Sequence, residues 1–166
     1  MNLDTRISLC ELTANDAQFI LELVTQASFK EHIGDKGVTD LEGARTHLAG
    51  QYIKAYSQYG FGLWGIKDRE RDCYEGVCGI VTRKGVETPD LGYALLDAYQ
   101  KQGHVSLAAK LVIEKARVFG LEALSAFVAP ENYRSVNVLT KLGFKYQGQT
   151  QLPGYQGITN CYKRVL

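Results

Sequence analysis

The sequence predicts an α/β (α+β) domain in which helices flank a mixed sheet. Segments that alternate polar and apolar residues occur along the chain, and segments with apolar residues three or four positions apart lie between them. The second half runs strand, helix, strand, helix, strand, an order that favours partly parallel strands covered by helices. A chain of 166 residues has the usual size of one domain, and we expect that domain to span residues 1–166.

The first strand and helix are predicted near the N-terminus. Residues 6–12 alternate polar and apolar side chains, as a half-buried strand does. Thr13 and Asp16 have the spacing of a capping box, in which each side chain accepts a hydrogen bond from the other residue's backbone N–H. An amphipathic helix should therefore occupy residues 14–27, and the glycine-containing segment 29–38 should form a loop.

A second helix and a hairpin should follow. Thr39 and Glu42 repeat the capping-box spacing, and an apolar stripe continues to Gly60, where the helix should end. Residues 61–67 and 74–83 are rich in aromatic and branched side chains and flank a charged turn, which is typical of a hairpin. The later predicted elements are a strand over 91–96, a helix from about Gly103 to Gly120, a strand over 123–128, a helix over 135–142 and a strand over 160–165.

The composition limits the possible functions. Lys and Arg number 19 and Asp and Glu 18, so the chain lacks the concentrated basic field that binding to nucleic acid or to an anionic membrane requires. No apolar run approaches the roughly 18–20 residues that span a bilayer. The four cysteines are too scattered for a disulfide framework or a zinc site. We therefore expect a cytoplasmic protein with reduced thiols and no metal.

A dinucleotide-binding fingerprint occurs by coincidence at residues 60–65, which read GFGLWG. That fingerprint binds a diphosphate only where its glycines leave a strand and open a helix. Here the glycines follow a predicted helix and enter a predicted strand. We therefore interpret them as a helix stop and small strand residues.

A more informative strand-turn-helix segment covers residues 91–106. The first amides of a helix lack partners inside it, and the helix dipole adds positive potential at that end. Together they can bind a diphosphate, and Lys101 adds a full charge. The alternative is an ordinary connection in which Gly103 only turns the chain.

A second informative segment follows the next strand. Asn132 lies at the start of the short predicted helix, where its side chain can cap the helix or bind a ligand. Ser135 comes about one helical turn later and therefore faces the same side. The alternative is that Asn132 is only a helix cap.

These two segments carry a family resemblance that covers nearly the whole chain. The stretches PDLGYALLDAYQKQGHVSLAA and APENYRSVNVLTKLGF, supported by YGFGLWGI and GVCGIVTRKG, resemble the GNAT N-acetyltransferase superfamily and its RimJ/RimL-like branch. The resemblance implies an acetyl-CoA cosubstrate, transfer of the acetyl group to a primary amine, and a mixed sheet whose central strands splay apart.

The resemblance also implies which residues bind acetyl-CoA. The strand before the turn pairs with the pantetheine arm, the turn binds the diphosphate, and Asn132 contacts the arm. Val105 departs from the family pattern, which has Gly or Ala there, and its methyl groups could crowd the phosphates. The residues carried over are Tyr93, Leu95, Leu96, Gln100, Lys101, Gln102, Gly103, His104, Val105, Ser106, Asn132 and Ser135.

Direct transfer needs an oxyanion donor, a proton donor for the departing thiolate and a neutral amine. We expect a backbone N–H near Leu95 to be the oxyanion donor and Ser135, which matches a hydroxyl residue near the CoA sulfur, to serve the thiolate. Each candidate base could also be a solvated surface charge, and a water chain could replace them all. These candidate bases are Asp90, Glu75, Glu87, Glu31 and His32.

Three functional readings remain open from the sequence. The first is an enzyme that acetylates a primary amine on a small molecule or a peptide N-terminus, including a protein N-terminal α-amine. The second is a non-catalytic acyl-CoA-binding module, which Val105 and the lack of an obvious base favour. The third is an unrelated α/β phosphate-binding domain. No nucleic-acid or membrane partner is expected, and the oligomeric state stays open.

Overall fold

A computed structural model describes residues 6–166 and contains a seven-stranded sheet of order β1-β2-β3-β4-β5-β7-β6. Neighbouring strands are antiparallel, except for the parallel pair β4 and β5 in the middle of the sheet. This confirms the predicted α/β fold with a mixed sheet. The strands are β1 (Ile7–Cys10), β2 (Leu63–Asp68), β3 (Cys73–Val81), β4 (Asp90–Leu95), β5 (Ala123–Val128), β6 (Lys145–Thr150) and β7 (Thr159–Val165).

Helices cover both faces of the sheet, and each face has its own apolar core. One core joins the sheet to α5 and α6, and the other joins it to α1, α2 and α3. Within residues 6–166, no helix has the length and apolar character needed to cross a membrane. The helices are α1 (Ala17–Thr25), α2 (Ala27–His32), α3 (Leu41–His47), α4 (Lys54–Tyr59), α5 (His104–Val118) and α6 (Tyr133–Lys141), with a π-helical turn at Leu48–Ile53 and 3₁₀ turns at Ala14–Asp16 and Asp97–Tyr99.

The structure confirms one of the two predicted capping boxes. The Thr13 N–H donates to the Asp16 carboxylate over 2.7 Å, and the Thr13 side chain caps the turn that opens α1. The box predicted at Thr39 is wrong, because the Asp40 side chain caps α3 instead by accepting from the N–H of Gly43. Aspartate is an equally good N-cap, so the sequence alone does not separate the two positions.

Two further elements differ from the predictions. The segment 29–38 is not wholly a loop, because α2 extends to His32 and buries Phe29 in the core. Strand β6 was missed because its side chains are mostly exposed, which removes the alternation that marks a strand. A β-bulge at 146–148 disturbs that alternation further.

The structure confirms that the glycines at residues 60–65 are a helix stop and small strand residues. Gly60 ends α4 with a φ of +77°, a left-handed conformation that glycine adopts without strain. Gly65 lies inside β2, where an added Cβ would be 2.5 Å from the Tyr74 ring. No helix begins at these glycines, so the fingerprint binds no diphosphate here.

The central strands β4 and β5 diverge. Asp90 pairs with Ser125, whose N–H donates to the carbonyl oxygen of Pro89 over 2.9 Å, and within residues 6–166 the parallel register goes no further. From this rung the strands part toward their carboxyl ends, at Leu95 and Val128. We call the gap between them the cleft, with its closed end at Asp90 and its open end at Leu95.

A β-bulge in β3 shapes the open end of the cleft. Ile66 of β2 pairs with Gly76 and Lys67 pairs with Tyr74, so Glu75 has no partner residue on β2. The extra residue reverses the alternation of side chains along the strand. The Tyr74 ring therefore packs on Phe19 of α1, with ring centroids 5.0 Å apart, and Glu75 turns to the opposite face, toward α5.

Candidate functional site

The N-terminus of α5 lies directly beyond the open end of the cleft. Gly103 is the N-cap with a φ of +76°, and no side chain caps the helix. The first backbone bond of this turn runs from the Leu107 N–H to the Gly103 carbonyl, so the amides of His104, Val105 and Ser106 precede it. Three uncapped amides at the positive end of a 15-residue helix make a suitable cradle for a diphosphate.

The turn before α5 is tied to two neighbouring elements. Lys101 has a φ of +64° and an exposed side chain, and Gln102 is also exposed. The Gln100 amide nitrogen donates to Asp97 over 2.9 Å, and Arg134 of α6 donates to the Gln100 amide oxygen over 2.6 Å. Arg134, which the sequence reasoning missed, places a second cation beside the turn.

The His104 side chain does not point into this cradle. It is buried, and its Nδ1 lies 2.5 Å from Oε2 of Glu75, which is completely buried. The prediction that Glu75 is a solvated surface charge is therefore wrong, and His104 offers the cradle only its backbone amide. The other oxygen of Glu75, Oε1, is buried without a hydrogen-bond partner in the described chain.

Backbone amides of β4 line the cleft. The Leu96 N–H donates to the Glu75 carbonyl on β3 over 2.8 Å. Because successive amides of a strand point to opposite sides, the N–H of Leu95 points toward the cleft, as does that of Tyr93. Leu96 itself is buried in the core beside α1.

Gln26, between α1 and α2, fixes the end of β4, a role that no local sequence pattern indicates. Its amide nitrogen donates to the Leu95 carbonyl over 3.3 Å, and its amide oxygen accepts from the Asp97 N–H over 2.8 Å. The Leu95 carbonyl is thus occupied, and its N–H is left facing the cleft.

The start of α6 lies across the cleft from β4. Asn132 caps α6, because its Oδ1 accepts from the Ser135 N–H over 3.3 Å. The Tyr93 hydroxyl donates to the Ser135 carbonyl over 3.4 Å. Burial raises the pKa of Tyr93 to about 12, although its contact with Ser135 opposes the shift. The structure thus brings Tyr93, Asn132 and Ser135 together.

The remaining carboxylates do not provide a free base in the cleft. Asp90 is buried at the closed end, and both its oxygens bind Arg83, over 2.8 Å to Nε and 3.2 Å to Nη2. Burial raises the pKa of Asp90, although the charge of Arg83 opposes the shift. Asp90 is therefore not the solvated charge that was predicted. Glu87, Glu31 and His32 are exposed on loops or on α2.

The fold and the sequence together define the class of the protein. The family model described as the acetyltransferase (GNAT) domain matches residues 6–145. The chain belongs to the GNAT acetyltransferase family, and the predicted assignment as an N-acetyltransferase that uses acetyl-CoA as cosubstrate is confirmed at this level. An unrelated phosphate-binding domain is thereby excluded.

Particular relatives resemble the chain over most of its length. The uncharacterized N-acetyltransferase YoaA of Bacillus subtilis is 25% identical over 167 residues, which cover 96% of this chain and 93% of that protein. The solved structure of RimL, a ribosomal L7/L12 α-N-protein acetyltransferase in complex with coenzyme A, matches with a TM-score of 0.82 and 21% identity, over 99% of this chain and 96% of that one.

A second solved structure shows the same fold. The microcin C7 self-immunity acetyltransferase MccE, in complex with acetyl-CoA and AMP, has a TM-score of 0.80 and 18% identity, over 100% of this chain and 96% of that one. At this level of identity the two structures support the shared architecture. The match to RimL is consistent with the predicted RimJ/RimL-like branch.

Proposed function

We propose that the protein transfers an acetyl group directly from acetyl-CoA to a primary amine, within a single domain spanning residues 1–166. The observation that carries this proposal is the alignment of the cleft between β4 and β5 with the uncapped start of α5. The cleft is suited to an extended arm and the start of α5 to an anion, and coenzyme A contains both an extended pantetheine arm and a diphosphate.

The residues present fit the cosubstrate. The amides of His104, Val105 and Ser106 would hold the diphosphate, with Lys101 and Arg134 adding positive charge. The half-buried Val105 would contribute its backbone amide, which a valine supplies as well as the glycine or alanine of the family pattern. The amides of β4 that face the cleft would pair with the arm as an added strand does.

Acetyl-CoA supplies an activated acetyl group as a thioester. The Leu95 N–H is the proposed donor to the carbonyl oxygen as that oxygen gains charge, because it faces the cleft and its own carbonyl is held by Gln26. The Ser135 hydroxyl is the proposed hydrogen-bond donor to the departing thiolate, from the first turn of α6.

The acceptor amine must lose a proton, and we assign that step to water. Asp90 is held by Arg83 on both oxygens, and Glu75 is enclosed beneath α5. A protein N-terminal α-amine is a suitable acceptor because its pKa is about 7.7–8.0, whereas a lysine amine near about 10.4 needs more help.

The test is release of free thiol from acetyl-CoA with a panel of small amines and N-terminal peptides. An enzyme releases thiol only when an acceptor is present and yields the acetylated acceptor by mass spectrometry. A non-catalytic acyl-CoA-binding module binds CoA in calorimetry and releases no thiol with any amine. Absence of CoA binding at millimolar ligand would refute both readings.

A further inference from the structure

A polar cluster lies on the face of the sheet opposite α5 and α6. We call it the Tyr155 cluster, and it comprises Lys36, Arg83, Asp90, Phe127 and Tyr155. Lys36 Nζ lies 5.7 Å from the centroid of the Tyr155 ring, and Arg83 Cζ lies 5.5 Å from the same centroid. Two cations from different loops thus converge on one aromatic ring of the β6–β7 connection.

Arg83 is fixed in this cluster by two further contacts. Its Nε and Nη2 bind the buried Asp90 side by side, and its Cζ lies 5.8 Å from the Phe127 ring. A guanidinium has five N–H donors in a rigid plane. Two of them bind Asp90 and another contacts the Tyr155 side chain, which leaves further donors on the guanidinium. An oriented guanidinium with spare donors is well suited to bind oxygen anions.

The cluster has an excess of positive charge. Lys36 and Arg83 carry two positive charges, and Asp90 supplies one negative charge. Burial by itself raises the pKa of the Tyr155 phenol, but its contact with Arg83 and the charge of Lys36 outweigh burial and leave that pKa below its ordinary value. The direction of this shift follows from the same two cations, which both lie close to the phenol.

The cluster also lies at the closed end of the cleft. Leu91, Tyr93 and Leu95 pack toward α5, so Asp90 points to the opposite face, and Phe127 does so because its neighbours on β5 pack toward α5. The diphosphate cradle lies at the other end of β4. An acceptor that approaches past Tyr155 therefore reaches the cleft without crossing the cosubstrate site.

We propose that the Tyr155 cluster binds a carboxylate on the acceptor, so that the preferred substrates are amines that carry a carboxylate close to the reacting nitrogen. This inference rests on the proposed function for the identity of the reacting amine. The positive field attracts an acceptor that carries a negative charge, and it disfavours the ammonium form that cannot attack. The carboxylate belongs either to a free amino acid or to an acidic side chain near a peptide N-terminus.

The experiment compares acceptors that differ in one group. Peptides with identical N-terminal residues carry Glu, Gln or Lys at the second position, and a free amino acid is compared with its amide. Thiol release gives kcat/KM for each, and calorimetry in the presence of CoA gives binding without turnover. The variants are Lys36→Gln and Lys36→Glu, with Lys110→Gln on the far side of α5 as the matched control.

We expect the chain to prefer a carboxylate over its amide by about 1.5- to fivefold, the range of one exposed charge contact. Lys36→Gln should reduce that preference, Lys36→Glu should reverse it toward the Lys-containing peptide, and Lys110→Gln should leave it unchanged. If the peptide series shows the larger preference, the carboxylate is an acidic side chain near a peptide N-terminus. If the free amino acid and its amide show the larger preference, the carboxylate belongs to a free amino acid.

Equal binding and turnover of acid and amide, or a preference that Lys36→Gln leaves intact, would overturn the inference while the acetyltransferase proposal stands. The reverse combination is also informative. A carboxylate preference in binding that depends on Lys36, with no thiol release from any acceptor, would support the inference and refute the proposed activity.

Discussion

The two ends of the cleft each contain a buried carboxylate, but the two carboxylates have different hydrogen-bond partners. At the closed end, Asp90 binds Arg83 through both oxygens. At the open end, Glu75 binds His104 through one oxygen, and its other oxygen is buried without a partner in residues 6–166. The Asp90 pair includes an obligatory cation, whereas the charge of the Glu75 pair depends on the protonation of an imidazole.

The closed end is therefore rigid, whereas the carboxylate at the open end is held by a single contact. A buried carboxylate with both oxygens bound to a guanidinium has one defined geometry, which suits a surface that orients an acceptor. A carboxylate with an unpaired oxygen retains part of its desolvation cost. The open end is therefore less strongly held, although the amides of α5 that we assign to the diphosphate depend on it.

The largest expected effect is at the closed end. Arg83→Met should lower the free energy of unfolding by about 3–5 kcal/mol, because it leaves the Asp90 charge buried and unpaired. Urea denaturation at neutral pH measures this change. The double variant Arg83→Met with Asp90→Leu is the control, since replacing both partners by apolar residues removes the uncompensated charge. A single variant no less stable than the double variant would contradict the assigned pairing.

At the open end the expected loss is smaller. Glu75→Met should lower the free energy of unfolding by about 1–3 kcal/mol, because it leaves the buried imidazole of His104 without its partner but also removes an oxygen that is already unpaired. It should also weaken CoA binding, since His104 is the first residue of α5. The matched variant Glu75→Gln can still hydrogen-bond and should lose less of both. Calorimetry and urea denaturation measure the two quantities, and a loss as large as that of Arg83→Met would remove the contrast between the ends.

The role of Glu75 also shows what the sequence does not predict. The strand over residues 74–83 was predicted, as were its antiparallel partner and the helix after Gly103. The bulge that turns Glu75 from α1 to α5 depends on the register between two strands, which one strand's alternation does not contain. Glu75 and Asp90 were therefore predicted to be exposed, because charged residues usually are.

The sequence predicted only those parts of the candidate site that depend on local pattern. Gly103 and the amides after it follow from local pattern, because a glycine before an amphipathic run is a short-range signal. Gln26 and Arg134 act on residues far away in sequence, so no local spacing marks them. Strand β6 pairs with β7 through its backbone while its side chains stay mostly exposed, so its existence likewise depends on a partner strand rather than on its own alternation.

A backbone substitution tests the open end without touching either carboxylate. Gly103→Val places a β-branched residue at a φ of +76°, which costs about 1–3 kcal/mol, although its Cβ would meet no atom within 4 Å. The strain should shift the first amides of α5 and weaken CoA binding several-fold in calorimetry. Gly103→Asn, which tolerates this conformation better, should retain more of the affinity. Unchanged affinity in Gly103→Val would refute the assignment of the diphosphate to this turn.

The smallest effect on stability, and the most direct test of chemistry, is Ser135→Ala. The half-buried hydroxyl lies beside Tyr93 on the first turn of α6, and its loss should change the free energy of unfolding by no more than about 0.5 kcal/mol. If the hydroxyl donates to the departing thiolate, kcat should fall by about 100-fold, the lower end for a proton donor because a hydroxyl is a weak acid. The affinity for CoA should stay constant, and Asn137→Ala, an exposed change on the same helix, should alter neither quantity. If Ser135→Ala keeps the wild-type kcat, solvent donates the proton to the departing thiolate. The cleft then positions the reactants and supplies backbone amides, but it provides no side-chain acid.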